Sequence, residues 1–193
     1  MSLRLTPSLN RVRNDTGRIA FCGPTVLSAI TGYPISRVEQ IIHQHRADPA
    51  EAKKIIEGTY PNEVRDALAV FGHSMDQTED FMNLERKQRP TVWSWMQLPR
   101  SAFSYYILAV HIRSEGHWIC IHGAKICDTY TEGRWKFGAD GPHRGARMMG
   151  VYRVRRVEDV VVDALPLASK SVPPQGRSAN ANRQVPVSVR TAA

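Results

Sequence analysis

Cys22 stands directly before Gly23-Pro24 and the run TVLSAIT, which closes at Gly32. Proline in a first turn and glycine just past the last turn mark a helix that opens at the cysteine. The N–H groups and positive dipole end of such a terminus favour a thiolate over a thiol. One of those N–H groups can also point at a developing oxyanion. Cys22 is therefore a candidate nucleophile, and Gly23 is a position that leaves a substrate room to approach. A cysteine nucleophile needs a base within hydrogen-bond reach and a third group to orient that base. One stretch, GHWICIHGAKICDTY (residues 116–130), carries both. If Ile121 pairs with Ile126 across Gly123-Ala124, His117 and Asp128 share one face as diagonal neighbours, and His117 faces Tyr130. His117 then reads as general base and Asp128 as its orienter. The same register sets Cys120 opposite Cys127 on the other face, with Trp118 beside them. A one-residue slip would undo all of it. Alternation separates His117 from Cys120, His122 and Cys127, so these four do not converge on a zinc ion, and no metal or cofactor is expected.

The elements that must hold these residues follow from period and punctuation. Val26, Leu27, Ala29 and Ile30 surround the helix at Cys22, which predicts a buried, central one. Ser36-Arg37-Val38-Glu39 reads as a capping box ahead of Val38, Ile41, Ile42 and His45. A third helix starts near Pro61, carries Val64, Leu68 and Phe71, and stops at Gly72. A short element is expected over 91–96. The second half changes period, with strands expected over 105–112, 117–122, 125–130, 135–137 and 148–157. Helices first and antiparallel strands second make an α+β fold, with the nucleophile at a helix N-terminus ahead of an antiparallel β-sheet. Residues 73–80 and 138–145 read as loops that shape specificity.

The chain has 193 residues and a formal net charge of +8. Residues 1–133 hold 15 basic and 14 acidic residues, 134–165 hold 7 and 4, and 166–193 hold 4 and none. The last 28 residues are rich in Pro, Ser, Asn and Arg and contain no aromatic residue. Such a segment buries too little apolar surface to offset its ordering entropy. The expectation is a domain over 1–165 and a disordered basic tail over 166–193. The basic C-terminal third suits an acidic partner or weak nucleic-acid contact. No apolar run is long enough to span a membrane, and no secretory signal peptide is expected. Three cysteines are too few for a disulfide framework and fit a reducing cytoplasm, so a cytoplasmic location is expected.

Three segments, FCGPTVLSAITG (residues 21–32), TYPNEVRDALAVFGH (59–73) and GHWICIHGAKICDTY (116–130), resemble the papain-like cysteine peptidases, in particular the compact C39-like group of bacterial and phage proteins. The resemblance covers about residues 14–157. It implies a papain-like fold and a Cys-His-Asp triad of Cys22, His117 and Asp128. It also implies a protein or peptide substrate, with hydrolysis of an amide, thioester or isopeptide bond through an acyl-enzyme. Such peptidases usually carry a Gln about six residues before the cysteine to complete the oxyanion hole. Thr16 stands at that place here, and Asn14 is the nearby alternative. Trp118 is a candidate to shield the substrate side, and Trp135 to cover the Asp-His hydrogen bond. Two other readings share this residue order: a transglutaminase-like or other acyltransferase, and a non-catalytic papain-fold binding or virion-associated protein. Reactivity at Cys22 separates the enzyme readings from the binding one.

Overall fold

The computed structural model describes residues 10–46, 55–113 and 115–158. The expected domain end near residue 165 and the tail lie outside these residues. Among the described residues, four α-helices, α1 (Cys22–Thr31), α2 (Ile35–Arg46), α3 (Pro61–Val70) and α4 (Val92–Met96), accompany six strands. The strands are β1 (His73–Asp80), β2 (Tyr105–Ile112), β3 (Glu115–His122), β4 (Lys125–Cys127), β5 (Lys136–Phe137) and β6 (Arg147–Arg156). They form one antiparallel sheet in the order β1-β6-β2-β3-β4-β5. The protein is thus α+β.

Helix α1 is central, with every residue from Gly23 to Thr31 buried. Its buried hydroxyls are satisfied locally: Thr25 Oγ1 donates to Phe21 O (2.8 Å), Thr31 Oγ1 to Leu27 O (2.8 Å) and Ser28 Oγ to Tyr33 O (2.6 Å). Gly32 ends the helix at φ 75°, a left-handed turn open to glycine at little cost. One core lies between the helices and the sheet, where Leu27, Ile30, Ile42 and Leu68 meet Ile107, Trp118, Cys120 and Cys127. The opposite sheet face packs Leu108, Ile119, Ile121 and Met148 against Val92 and Trp95 of α4. That alternation along β3 is what pins its register.

Two local expectations change. The capping box at Ser36 does not form, because α2 already begins at Ile35. Asp15 caps it from the preceding loop instead, accepting from Ser36 N (3.0 Å) and Ser36 Oγ (2.6 Å). Glu39 accepts two bonds from Arg18 Nη2 (2.8 and 2.7 Å), tying the segment before Cys22 to α2. Residues 73–80 are a strand rather than a loop, paired along β6 from His73↔Arg156 to Asp80↔Gly150. HSMDQTED shows no apolar alternation, and only Met75 is buried. An edge strand takes its conformation from its neighbour's ladder, which composition does not reveal.

On β6, Arg153 Nε and Nη2 donate to Ser104 Oγ (3.2 and 3.1 Å), and Arg155 pairs with Asp76 at 2.7 Å. These basic side chains are engaged by neighbouring elements. Among the described residues, no helix is long and apolar enough to cross a membrane.

Candidate active site

The hairpin forms in the expected register: Cys120↔Cys127, Ile121↔Ile126 and His122↔Lys125. The second strand is shorter than expected. Strand β4 ends at Cys127, and residues 128–133 fold into a turn that fixes Asp128. Thr131 N donates to Asp128 Oδ1 (2.8 Å), Asp128 N donates to Thr131 Oγ1 (3.0 Å), and Thr131 Oγ1 donates to Asp128 O (3.0 Å). Asp128 is fully buried, and its Oδ2 lies 3.0 Å from Nε2 of His117. With Nε2 committed to the carboxylate, Nδ1 is the nitrogen left for Cys22.

Cys22 opens α1, half-buried, and shares with His117 a cleft of about 400 Å³. The cleft is also lined by Thr59, Trp118, Met149 and Tyr152. Burial alone would lower the pKa of His117. The hydrogen bond with Asp128, and the hydrogen bond and charge of Cys22, outweigh that and push it up to about 9. A basic imidazole beside a thiol and a carboxylate can hold a proton as imidazolium and deliver it to a leaving group. The other two thiols are inert by comparison. Burial raises Cys120 well above the ordinary range and Cys127 to about 12, so neither ionises near neutrality.

Cys22, His117 and Asp128 therefore meet, whereas Asn14 and Thr16 do not join them. Asn14 Nδ2 donates to Arg18 O (2.7 Å), and Asn14 Oδ1 accepts from Thr16 N (3.1 Å) and Thr16 Oγ1 (2.8 Å). Asn14 lines a separate cavity of about 450 Å³ with Arg18, Thr25 and Glu132. The short side chains fold onto their own turn, a local bond that competes with reaching across to the cysteine. The room beside Gly23 is also filled. A Cβ there would stand 2.2 Å from Thr59 Oγ1, so the glycine admits Thr59 rather than leaving open space. Trp118 lines the cleft, donates from Nε1 to Thr59 O (3.1 Å), and meets Tyr152 edge-on at 5.8 Å. Trp135, the expected cover of the His117–Asp128 bond, lies with Tyr105 and His122 at ring separations of 6.3 and 6.4 Å.

Tyr130 and His143 cover that bond instead. Their rings meet His117 edge-on at 5.2 and 5.5 Å and each other at 4.3 Å. His143 sits in the Gly/Pro-rich segment after β5, which the sequence marks as a loop without indicating which side chain turns inward. Thr59, Thr131, Met149 and Tyr152 were equally invisible, since no spacing rule links them to Cys22.

No protein-family profile matches the chain, and no curated protein matches it. Among solved structures, the chain is similar to the peptidase domain of Streptococcus ComA, a bi-functional ABC transporter involved in a quorum-sensing pathway. The likeness has a TM-score of 0.44 at 12% sequence identity, and covers 77% of this chain and 97% of that one.

Proposed function

We propose that this protein is a papain-like cysteine peptidase in which Cys22, His117 and Asp128 act as nucleophile, general base and acid, and orienting carboxylate. The observation that carries the reading is the 3.0 Å contact between His117 Nε2 and buried Asp128, with Cys22 acting on the same ring. The Cys22 thiolate attacks the scissile carbonyl carbon, and the developing oxyanion lies against the N–H groups at the start of α1. Imidazolium His117 protonates the leaving amine, and a thioester remains on Cys22. His117, now neutral, takes a proton from water as the water attacks the thioester, and then returns that proton to the departing sulfur. Asp128 holds the tautomer throughout. Thr59, Trp118, Met149 and Tyr152 wall the cleft and limit water access.

Iodoacetamide labelling of Cys22 across pH tests the reading, alongside a peptide-library cleavage assay on the intact chain and on Cys22→Ala. Rapid labelling at pH 6–7 with cleavage lost in Cys22→Ala is expected. Labelling no faster than that of a free thiol, with no cleavage of any library member, refutes it.

A further inference from the structure

His143 leaves an unusual remainder. Its Nε2 is buried and has no hydrogen-bond partner among the described residues. A buried polar atom without a partner is costly, and native structures rarely leave one unexplained. The atom lies 3.8 Å from Asp128 Oδ2, the oxygen that also meets His117 Nε2 at 3.0 Å. Donor atoms of His117, Asp128 and His143 all fall within 4.8 Å of one another.

We infer that His117, Asp128 and His143 form a binding site for a divalent transition metal, with Zn²⁺ the best fit, and that the ion switches the Cys22 site off. Ligand atoms around tetrahedral zinc, with bonds of 2.0–2.1 Å, stand about 3.3 Å apart. The 3.0 and 3.8 Å separations bracket that value. Two imidazoles and one carboxylate favour zinc over calcium or magnesium, which prefer all-oxygen shells. Three protein ligands leave a fourth position for water.

The surrounding structure orients the ligands as supporting contacts in metal sites do. Thr131 N–H holds Asp128 Oδ1, which turns Oδ2 toward the two histidines. Tyr130 packs edge-on against His143. The His143 loop is tied to α4 through Val92 N to Ala146 O (3.0 Å) and Trp93 N to Arg144 O (2.9 Å).

The coordination step balances simply. The proton on His117 Nε2 leaves to solvent, and the nitrogen lone pair binds the ion. Affinity therefore weakens as pH falls. The ring's remaining proton then stays on Nδ1 of a neutral imidazole, which neither accepts a proton from Cys22 nor supplies one to a leaving amine as the imidazolium does. The binding claim stands independently of the peptidase reading; only the inhibition arm rests on that reading.

Titration calorimetry of Zn²⁺ into the metal-stripped Cys22→Ala chain tests the site without the nucleophile. One ion per chain is expected, and Co²⁺ in its place gives the visible bands of four-coordinate cobalt. His143→Gln and Asp128→Asn each weaken binding by at least about tenfold. Circular dichroism confirms that the variants are folded. Should either variant fail to fold, histidine ring NMR of the Cys22→Ala chain decides: the His117 and His143 signals move together on adding Zn²⁺. No stoichiometric binding, undiminished binding in His143→Gln, or binding that vanishes in Cys22→Ala overturns the site. Binding as expected, with no zinc inhibition of a chain that does cleave peptide, overturns the switch alone.

Discussion

Nε2 of His117 lies 3.0 Å from Oδ2 of Asp128, and the carboxylate's other oxygen is held at 2.8 Å by the Thr131 N–H. The carboxylate cannot rotate without breaking one of these bonds, so the imidazole is presented to Cys22 in a single orientation. The hairpin supplies the histidine and the turn that follows it supplies the acid.

Asp128→Asn keeps an oxygen for the Thr131 N–H but removes the negative charge that fixes the His117 tautomer. Peptide turnover should fall by about 10²–10⁴-fold with the fold retained. The comparison to make is turnover rate beside a thermal melt. Turnover within a factor of a few of the parent chain would remove Asp128 from the mechanism.

The elevated pKa of His117 ties stability to pH. The folded value of about 9 exceeds the ordinary 6.5, because the partners Asp128 and Cys22 overcome the opposing effect of burial. The stabilisation is therefore complete below about pH 6.5 and is lost as pH climbs through about 9. Urea unfolding midpoints at pH 6, 7.5 and 9 should decline in that order, and less steeply in Cys22→Ala. Activity that depends on the imidazolium should fall off on the same alkaline side.

At Gly23 even one methyl group collides with Thr59 Oγ1, at 2.2 Å. Gly23→Ala must displace Thr59, whose carbonyl accepts from Trp118 in the cleft wall. A loss of about 1–3 kcal/mol in stability is expected, as for other overpacked sites, together with weaker peptide cleavage. A variant as stable and active as the parent would show that residue 59 yields freely.

Arg18 anchors the segment leading to Cys22. Removing its guanidinium in Arg18→Ala leaves the Glu39 carboxylate buried without its two bonds, at a cost of about 1–3 kcal/mol. Burial already raises the pKa of Glu39, against the pull of Arg18. The loss should therefore shrink at acid pH, where Glu39 is protonated. Equal losses at pH 4 and pH 7 in chemical denaturation would show that the charge of Glu39 is irrelevant.

What could be read from residue order alone is whatever short-range physics decides. Pro24 and Gly32 bound α1, because each punctuates the backbone locally. The apolar alternation through Ile119, Ile121 and Ile126 sets the hairpin register, and with it the approach of His117 to Asp128. Other features depend on what lies opposite in space. Residues 73–80 become a strand only because β6 offers them a ladder. Asp15, not Ser36, caps α2, because the chain before Cys22 folds back across the helix start. The space beside Gly23 belongs to Thr59, which is distant in sequence. His143 turns toward Asp128 because α4 ties down a loop that carries no periodic signal of its own. Local propensity and alternation act over a few residues and are written in the chain. Which oxygen of Asp128 faces which imidazole is a packing outcome, set by contacts that exist only once helices, sheet and loops have closed on one another.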